Sequence, residues 1–313
     1  MPLPPALLGR LRLPVVAAPM FLVSGPELVV AACRAGVLGT LPALNQRTTA
    51  GLEEWLARLD DALGPDDAPY GVNLIVHRTN PRMAPDLEVV VRHRVPVVIT
   101  SLGAASEVVA AVHGYGGVVF HDVTTLPHAH KAADAGVDGL ILVTAGAGGH
   151  GGSLSPFALL AEVRRFFAGT VLLAGAISSG SDVLAAQVMG ADLAYLGTRF
   201  LATTESLASD AYRDQVVAAT AGDVVYTPSV STIPANFLRR SLELAGIDPD
   251  APSGPVDLAH VTQPSASDAR AWRDIWSAGQ GVAGIDAVLP VADLVDRLHR
   301  EYEDARRRLC AGR

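Results

Sequence analysis

The sequence predicts an α/β protein, a closed (β/α)8 barrel with a small, mostly helical cap inserted before its last helix. Three observations carry that expectation. Short β-branched runs ending in Gly, Ser, Thr or Asn alternate with amphipathic stretches of helical spacing. The runs number eight, with seven helical stretches between them. Several, such as VVIT and VLLAG, are almost continuously apolar, as a parallel sheet covered on both faces requires. An open doubly wound sheet would show the same alternation but needs a reversal of strand order. Eight units in series favour the barrel.

The strands are expected at 14–20, 36–41, 70–76, 95–100, 117–123, 139–143, 170–177 and 193–200. The first, PVVAAPM, leads through Pro26 into a helix over 26–35. The second and third bracket a helix over 51–63, and Pro85 starts the next, over 85–94. After VPVVIT come a helix over 104–113, the run GVVFHDV and a helix over 127–135 opened by Pro127. Pro156 opens a helix over 156–167, and Ser181 one over 181–189. Beyond Phe200 the rhythm stops. Residues 201–284 read as irregular helix and loop, too long for a simple connection. The barrel is therefore assigned to 1–203 and 285–313 and the cap to 204–284. The closing helix, 291–309, puts Leu294, Leu298, Tyr302 and Ala305 on one face and Arg306, Arg307 and Arg308 in its last turn, where the helix dipole favours cations.

Composition narrows the function. With 313 residues, half of them hydrophobic, the chain can bury a sizeable core. A net charge of −8 has the wrong sign for coating phosphates, so no nucleic acid is expected as partner. Two cysteines, Cys33 and Cys310, make neither a disulfide framework nor a CxxC metal site. The start of the chain has too short an apolar run for a secretory signal, and the longest uncharged stretch, 139–161, is broken by glycines and Pro156. A cytoplasmic address and no membrane span are expected.

In such a barrel the reacting groups sit at the carboxyl ends of the strands. Two glycine-bearing turns stand there, GAISSG after the seventh run and LGTRF in the eighth, positions from which backbone N–H groups can wrap a phosphate. AGAGGHGG, 145–152, follows the sixth run and centres one histidine, His150, on a backbone that lets a flat ligand approach. An imidazole there would titrate near neutrality and serve as base or hydrogen-bond donor. The formal GxGxxG within it is rejected as a dinucleotide motif, because no acidic residue ends the next strand. Asn73, polar amid GVNLIV, needs partners, and either a heterocycle or neighbouring backbone supplies them. His77 and Arg78 end the third strand, with substrate contact and a capping role equally open. His121 and Asp122, adjacent on a strand, point to opposite sides, so no metal is expected.

VVAAPM, GVNLIV, AGGHGG, LLAGAISSGSDVLAAQVMGADLAYLGTRFLATTES and WSAGQGVAGI, in this order and over nearly the whole chain, resemble the nitronate monooxygenase (2-nitropropane dioxygenase) family. The resemblance implies FMN across the barrel mouth. Gly175, Ala176, Gly197 and Thr198 would hold its phosphate, and Met20, Asn73 and Gly149 would contact its ring. His150 matches the family's catalytic histidine, and Ser277 and Gln280 would fold back from the cap toward the substrate. Asp122 stands where relatives often carry lysine, and Ala176 replaces a usual glycine.

The implied reaction is oxidation of alkyl nitronates, or nitroalkanes, by O2 to a carbonyl compound and nitrite. Flavin-dependent NAD(P)H reductases of the enoyl-acyl-carrier-protein or quinone type resemble the same blocks, and a non-catalytic flavin-binding partner is the alternative of another class. An IMP-dehydrogenase-like enzyme would need a loop thiol, whereas both cysteines fall on expected helices.

Overall fold

The computed structural model describes residues 3–103, 106–230, 234–249 and 274–311. Its strands are β1 (Val15–Ala17), β2 (Leu38–Pro42), β3 (Tyr70–Ile75), β4 (Val97–Ser101), β5 (Val118–Val123), β6 (Gly139–Val143), β7 (Thr170–Ala174) and β8 (Leu193–Leu196). Between them run α1 (Pro26–Arg34), α2 (Thr49–Ala62), α3 (Met83–Arg92), α4 (Ser106–His113), α5 (Leu126–Asp134), α6 (Pro156–Val163) and α7 (Gly180–Met189). All eight strands pair in parallel with their sequence neighbours, and β1 pairs with β8, Val16 opposite Tyr195, closing the barrel. That pairing removes the open sheet, which would leave both edges unpaired.

The pleat sorts the strand residues into two cores. Val16, Leu38, Ile99, Phe120, Ile141 and Leu172 fill the barrel, and the alternate positions pack against the helices. Leu7, ahead of β1, is fully buried against the interior set.

The eighth run differs from expectation in a way that matters. Only Leu193–Leu196 is strand; Gly197 leaves it, and Thr198–Leu201 turns as a short helix, α8. The chain turns here instead of extending, which brings the backbone of Gly197 and Thr198 to the barrel mouth.

After α8 come α9 (Asp210–Ala218), an antiparallel ribbon of β9 (Val224–Thr227) and β10 (Ala235–Leu238), and α10 (Arg239–Leu244). The ribbon was not anticipated from sequence. Residues 250–273, with His260, lie outside the described set. The last helix, α11 (Val291–Ala311), buries Val291, Leu294, Val295, Leu298 and Ala305 and packs on α1 and α7. Its approach to α7 is so close that a Cβ on Gly180 would lie 2.1 Å from the Leu298 carbonyl oxygen. Among the described residues, no helix is long and apolar enough to cross a membrane.

Candidate active site

The carboxyl ends of the strands open into one cavity of about 830 Å³, a volume typical of sites that enclose a small organic ligand. Two turns supply its phosphate-sized corner. The N–H groups of Gly175, Ala176, Gly197 and Thr198 make no hydrogen bond among the described residues. Unmet amides at a cavity wall call for an anionic or carbonyl partner. The turn needs its glycine: Gly175 has φ +135°, and a Cβ there would meet Thr144 Oγ1 at 2.4 Å. Ala176 follows in the left-handed region at φ 54°, so it keeps the amide geometry at the cost of backbone strain. The rest of GAISSG does other work. Ser178 and Ser179 N–H both donate to Asp182, whose partner Ser179 Oγ completes a capping box on α7. Arg199, next to Thr198, turns away from the cavity and is buried near Arg297, Asp286 and Glu301.

The 145–152 loop forms another wall and is clamped by the returning chain. Gly149 N–H donates to Ser277 Oγ at 2.7 Å, Ser277 Oγ donates to the Asn236 carbonyl, and Asn236 N–H donates to the Gly149 carbonyl. Asn236 Nδ2 also holds the Ala147 carbonyl at 2.6 Å, and Gln280 N–H holds that of Gly146. Gly279 N–H reaches Thr198 Oγ1 at 2.8 Å, tying this loop to the β8 turn. Tyr212 stacks on Trp276 with centroids 5.1 Å apart, and its hydroxyl donates to the Ser277 carbonyl.

His150 is half-buried on this loop and lines the cavity. Burial lowers its pKa to about 4, which corrects the expectation of titration near neutrality: the imidazole is neutral at pH 7. Met20 and Asn73 line the same cavity, Met20 beside Gly197. Asn73 Nδ2 donates to Ser101 Oγ at 2.7 Å, and Ser101 Oγ donates to Asp122 Oδ2 at 2.6 Å. His77 lines the wall with Nδ1 2.9 Å from Thr79 Oγ1. His121, on the alternate face of β5 from Asp122, also reaches the cavity lining, its Nδ1 2.7 Å from Thr100 Oγ1.

Met20, Asn73, Gly149 and His150 thus share one cavity with Gly175, Ala176, Gly197, Thr198 and Ser277. Gln280 does not join them: its side chain is exposed, outside the cavity lining, and its backbone does the holding. Sequence reasoning missed Asn236 and Tyr195. Asn236 in PANFL carried the same signal as Asn73, an amide among apolar residues, and is 5% exposed. Among the described residues no group of three His, Cys, Asp or Glu side chains could hold a metal.

A nitronate monooxygenase family model matches residues 79–301, which run from α3 into α11 and include the phosphate corner, His150 and the clamp. The chain belongs to the nitronate monooxygenase family. A nitronate monooxygenase of Paraburkholderia phytofirmans is 27% identical, with 93% of each chain covered. A solved nitroalkane oxidase from Streptomyces ansochromogenes superposes with a TM-score of 0.83 at 28% identity, covering 97% of this chain and 99% of the other. A 5-hydroxy-7a-methyl-1-oxo-octahydro-1H-indene-4-carboxyl-CoA dehydrogenase of Mycobacterium tuberculosis is 33% identical over 73% of this chain. The match spans 64% of that relative's length. This member of the nitronate monooxygenase family is built on a TIM barrel.

Proposed function

We propose that the cavity holds FMN and oxidises alkyl nitronates with O2 to a carbonyl compound and nitrite. The observation that carries this reading is the convergence of four unengaged amides, at 175–176 and 197–198, with a neutral imidazole on the same cavity. The amides suit a phosphate, and Met20, Asn73 and Gly149, which line the same cavity, would contact the ring. Bound flavin supplies the electron transfer that no side chain here can perform. The chain contributes position, exclusion of water and one hydrogen-bonding base.

The state of His150 selects among substrates. A base with a pKa near 4 has little driving force to remove a carbon-bound proton. The same imidazole can hydrogen-bond to a substrate that is already an anion. A weakly basic His150 therefore favours a nitronate over the nitroalkane as substrate. The lining includes Leu22, Leu102 and Leu207, 37%, 37% and 51% exposed, which favours an aliphatic chain on the nitronate, beside Lys131 and His128.

The protein purified without added cofactor, or reconstituted with FMN, should be yellow and should consume O2 and release nitrite with propyl-2-nitronate. Its kcat/KM should be at least about 100-fold lower with 2-nitropropane, a gap of roughly 3 kcal/mol. A colourless protein that does not take up FMN would overturn the reading. Rapid anaerobic bleaching by NADH without O2 uptake on nitronate would move it to the reductase alternative. The 33% identity to a CoA-thioester dehydrogenase favours a second reading, oxidation of an acyl thioester at the same site; acyl-CoA turnover with no nitrite formation would select it. His150→Ala, keeping FMN but losing turnover, would separate an enzyme from a flavin-binding partner.

A further inference from the structure

Asp122 lines the cavity and takes no part in the reaction described above. Val118 and Phe120, earlier on β5, belong to the barrel interior, and the period of two puts Asp122 on the same inward side. Lys131 and His128 of α5 also line this cavity, but the groups that act on Asp122 include no cation. From β4 comes the Ser101 hydroxyl, bonded to Oδ2, and behind it from β3 the Asn73 amide. β6 sets Ile141 opposite, and β8 brings the Tyr195 phenol, whose pKa is raised by burial and then by the charge of Asp122. His128 and Lys131 act on His121, the neighbour on the alternate face of β5. His150 lines the same cavity from the loop after β6. Asp122 Oδ1 is sealed from solvent and has no hydrogen-bond partner among the described residues. A carboxylate oxygen with no donor is poorly stabilised, and protonation relieves it. Burial pushes the Asp122 pKa up to about 6 against the opposing Ser101 hydrogen bond.

Resting on the flavin reading, we propose that Asp122 is a charge-coupling carboxyl, one that, when ionised, takes a proton from solvent as the flavin bound in this cavity gains two electrons. The ring takes two electrons and one proton and carries one negative charge; the carboxylate takes the second proton and becomes neutral. The electrons come from the organic substrate in turnover or from dithionite in a titration. Like charges in a dry site each raise the other's proton affinity, so the two uptakes are linked.

Spectroelectrochemical titration of the FMN holoprotein from about pH 5 to pH 9 tests this, with Asp122→Asn as the comparison. One proton per two electrons changes the midpoint potential by about 30 mV per pH unit, and a second proton adds about 30 mV more. The wild-type curve should steepen by that amount, tenfold more per pH unit in the reduction equilibrium, above the carboxyl's pKa of about 6. Asp122→Asn keeps the side chain's size and an oxygen for Ser101. It should lose the steep segment and show a higher potential at pH 8. If that variant fails to fold, the wild-type curve decides alone, because a line of one-proton slope throughout overturns the proposal. An Asn variant as steep as wild type also overturns it and assigns the proton to another group, such as His150. A wild-type protein with no flavin signal at all overturns the flavin reading and this inference together; a flavin-loaded protein with the shallow slope overturns this inference only.

Discussion

Asp122 has a consequence for stability as well as for redox chemistry. Its folded pKa, about 6, lies above the usual carboxylate value, so the folded state binds the proton more tightly than the unfolded chain does. For an acid shifted in this direction, the favourable contribution is present below the unfolded pKa and is lost as pH rises through the folded one. The window runs from about pH 4 to about pH 6. Above it, the ligand-free protein carries a buried charge with one oxygen unmet. Asp122→Asn should therefore stabilise flavin-free protein at pH 8 by up to about 3 kcal/mol, a shift of roughly two pKa units, and by almost nothing at pH 4. Urea unfolding of both proteins at the two pH values reads the difference directly. A constant difference at both pH values would mean that Asn changes packing and not charge. His150 acts in the opposite sense. Its folded pKa of about 4 lies below that of a free imidazole, so its contribution is lost as pH falls from about 6.5 toward 4. The opposite signs let the two groups be separated by single substitutions.

At the scale of elements, the loop that carries His150 is shaped by close backbone contact with the returning chain. Gly279 lies against it so tightly that a Cβ would stand 2.5 Å from the Gly146 carbonyl oxygen and 2.7 Å from Gly148 N. Both obstacles are backbone, so neither can rotate aside. Gly279→Ala should push the 145–152 loop outward, cost about 1–3 kcal/mol in urea unfolding, and lower kcat by about 100-fold through displacement of the imidazole. Gly222→Ala is the control: its Cβ would meet nothing closer than Thr220 Oγ1 at 3.7 Å, and it should leave both quantities nearly unchanged. The strands were legible because each is an apolar run punctuated by turn residues, and so were the two glycine turns and His150. The clamp was not. WSAGQG could be matched as a motif, but its partner strand β10 is four residues of ANFL whose sheet has only two members. Such a ribbon is held by contacts far away in sequence, Asn236 to the Gly149 region and Phe237 to Ser277, and propensity does not encode those. For the same reason Ser277 was read as a substrate contact, although its hydroxyl is engaged at once by Gly149 N–H and the Asn236 carbonyl.

Across the whole molecule, stability and chemistry occupy opposite ends of the barrel. At the carboxyl ends the floor is polar, with Asn73, Ser101, Asp122 and Tyr195, and the walls carry unengaged amides. At the amino ends the plug is hydrocarbon. Leu7 packs, fully buried, in one cluster with Leu38, Val97, Val118 and Leu193, each the first residue of its strand. The chain thus closes the bottom of its own barrel before β1 begins. Truncating this plug tests the division of labour. Leu7→Ala removes buried methyl groups from a site whose walls are paired strands and cannot collapse, so it should cost about 2–5 kcal/mol in urea unfolding. Because the cavity lies at the other end of the same strands, FMN content and kcat/KM on nitronate at a temperature well below unfolding should stay within about twofold of wild type. A loss of activity larger than the fraction unfolded would show that the polar floor is supported by the plug and that the two ends of this barrel are not independent.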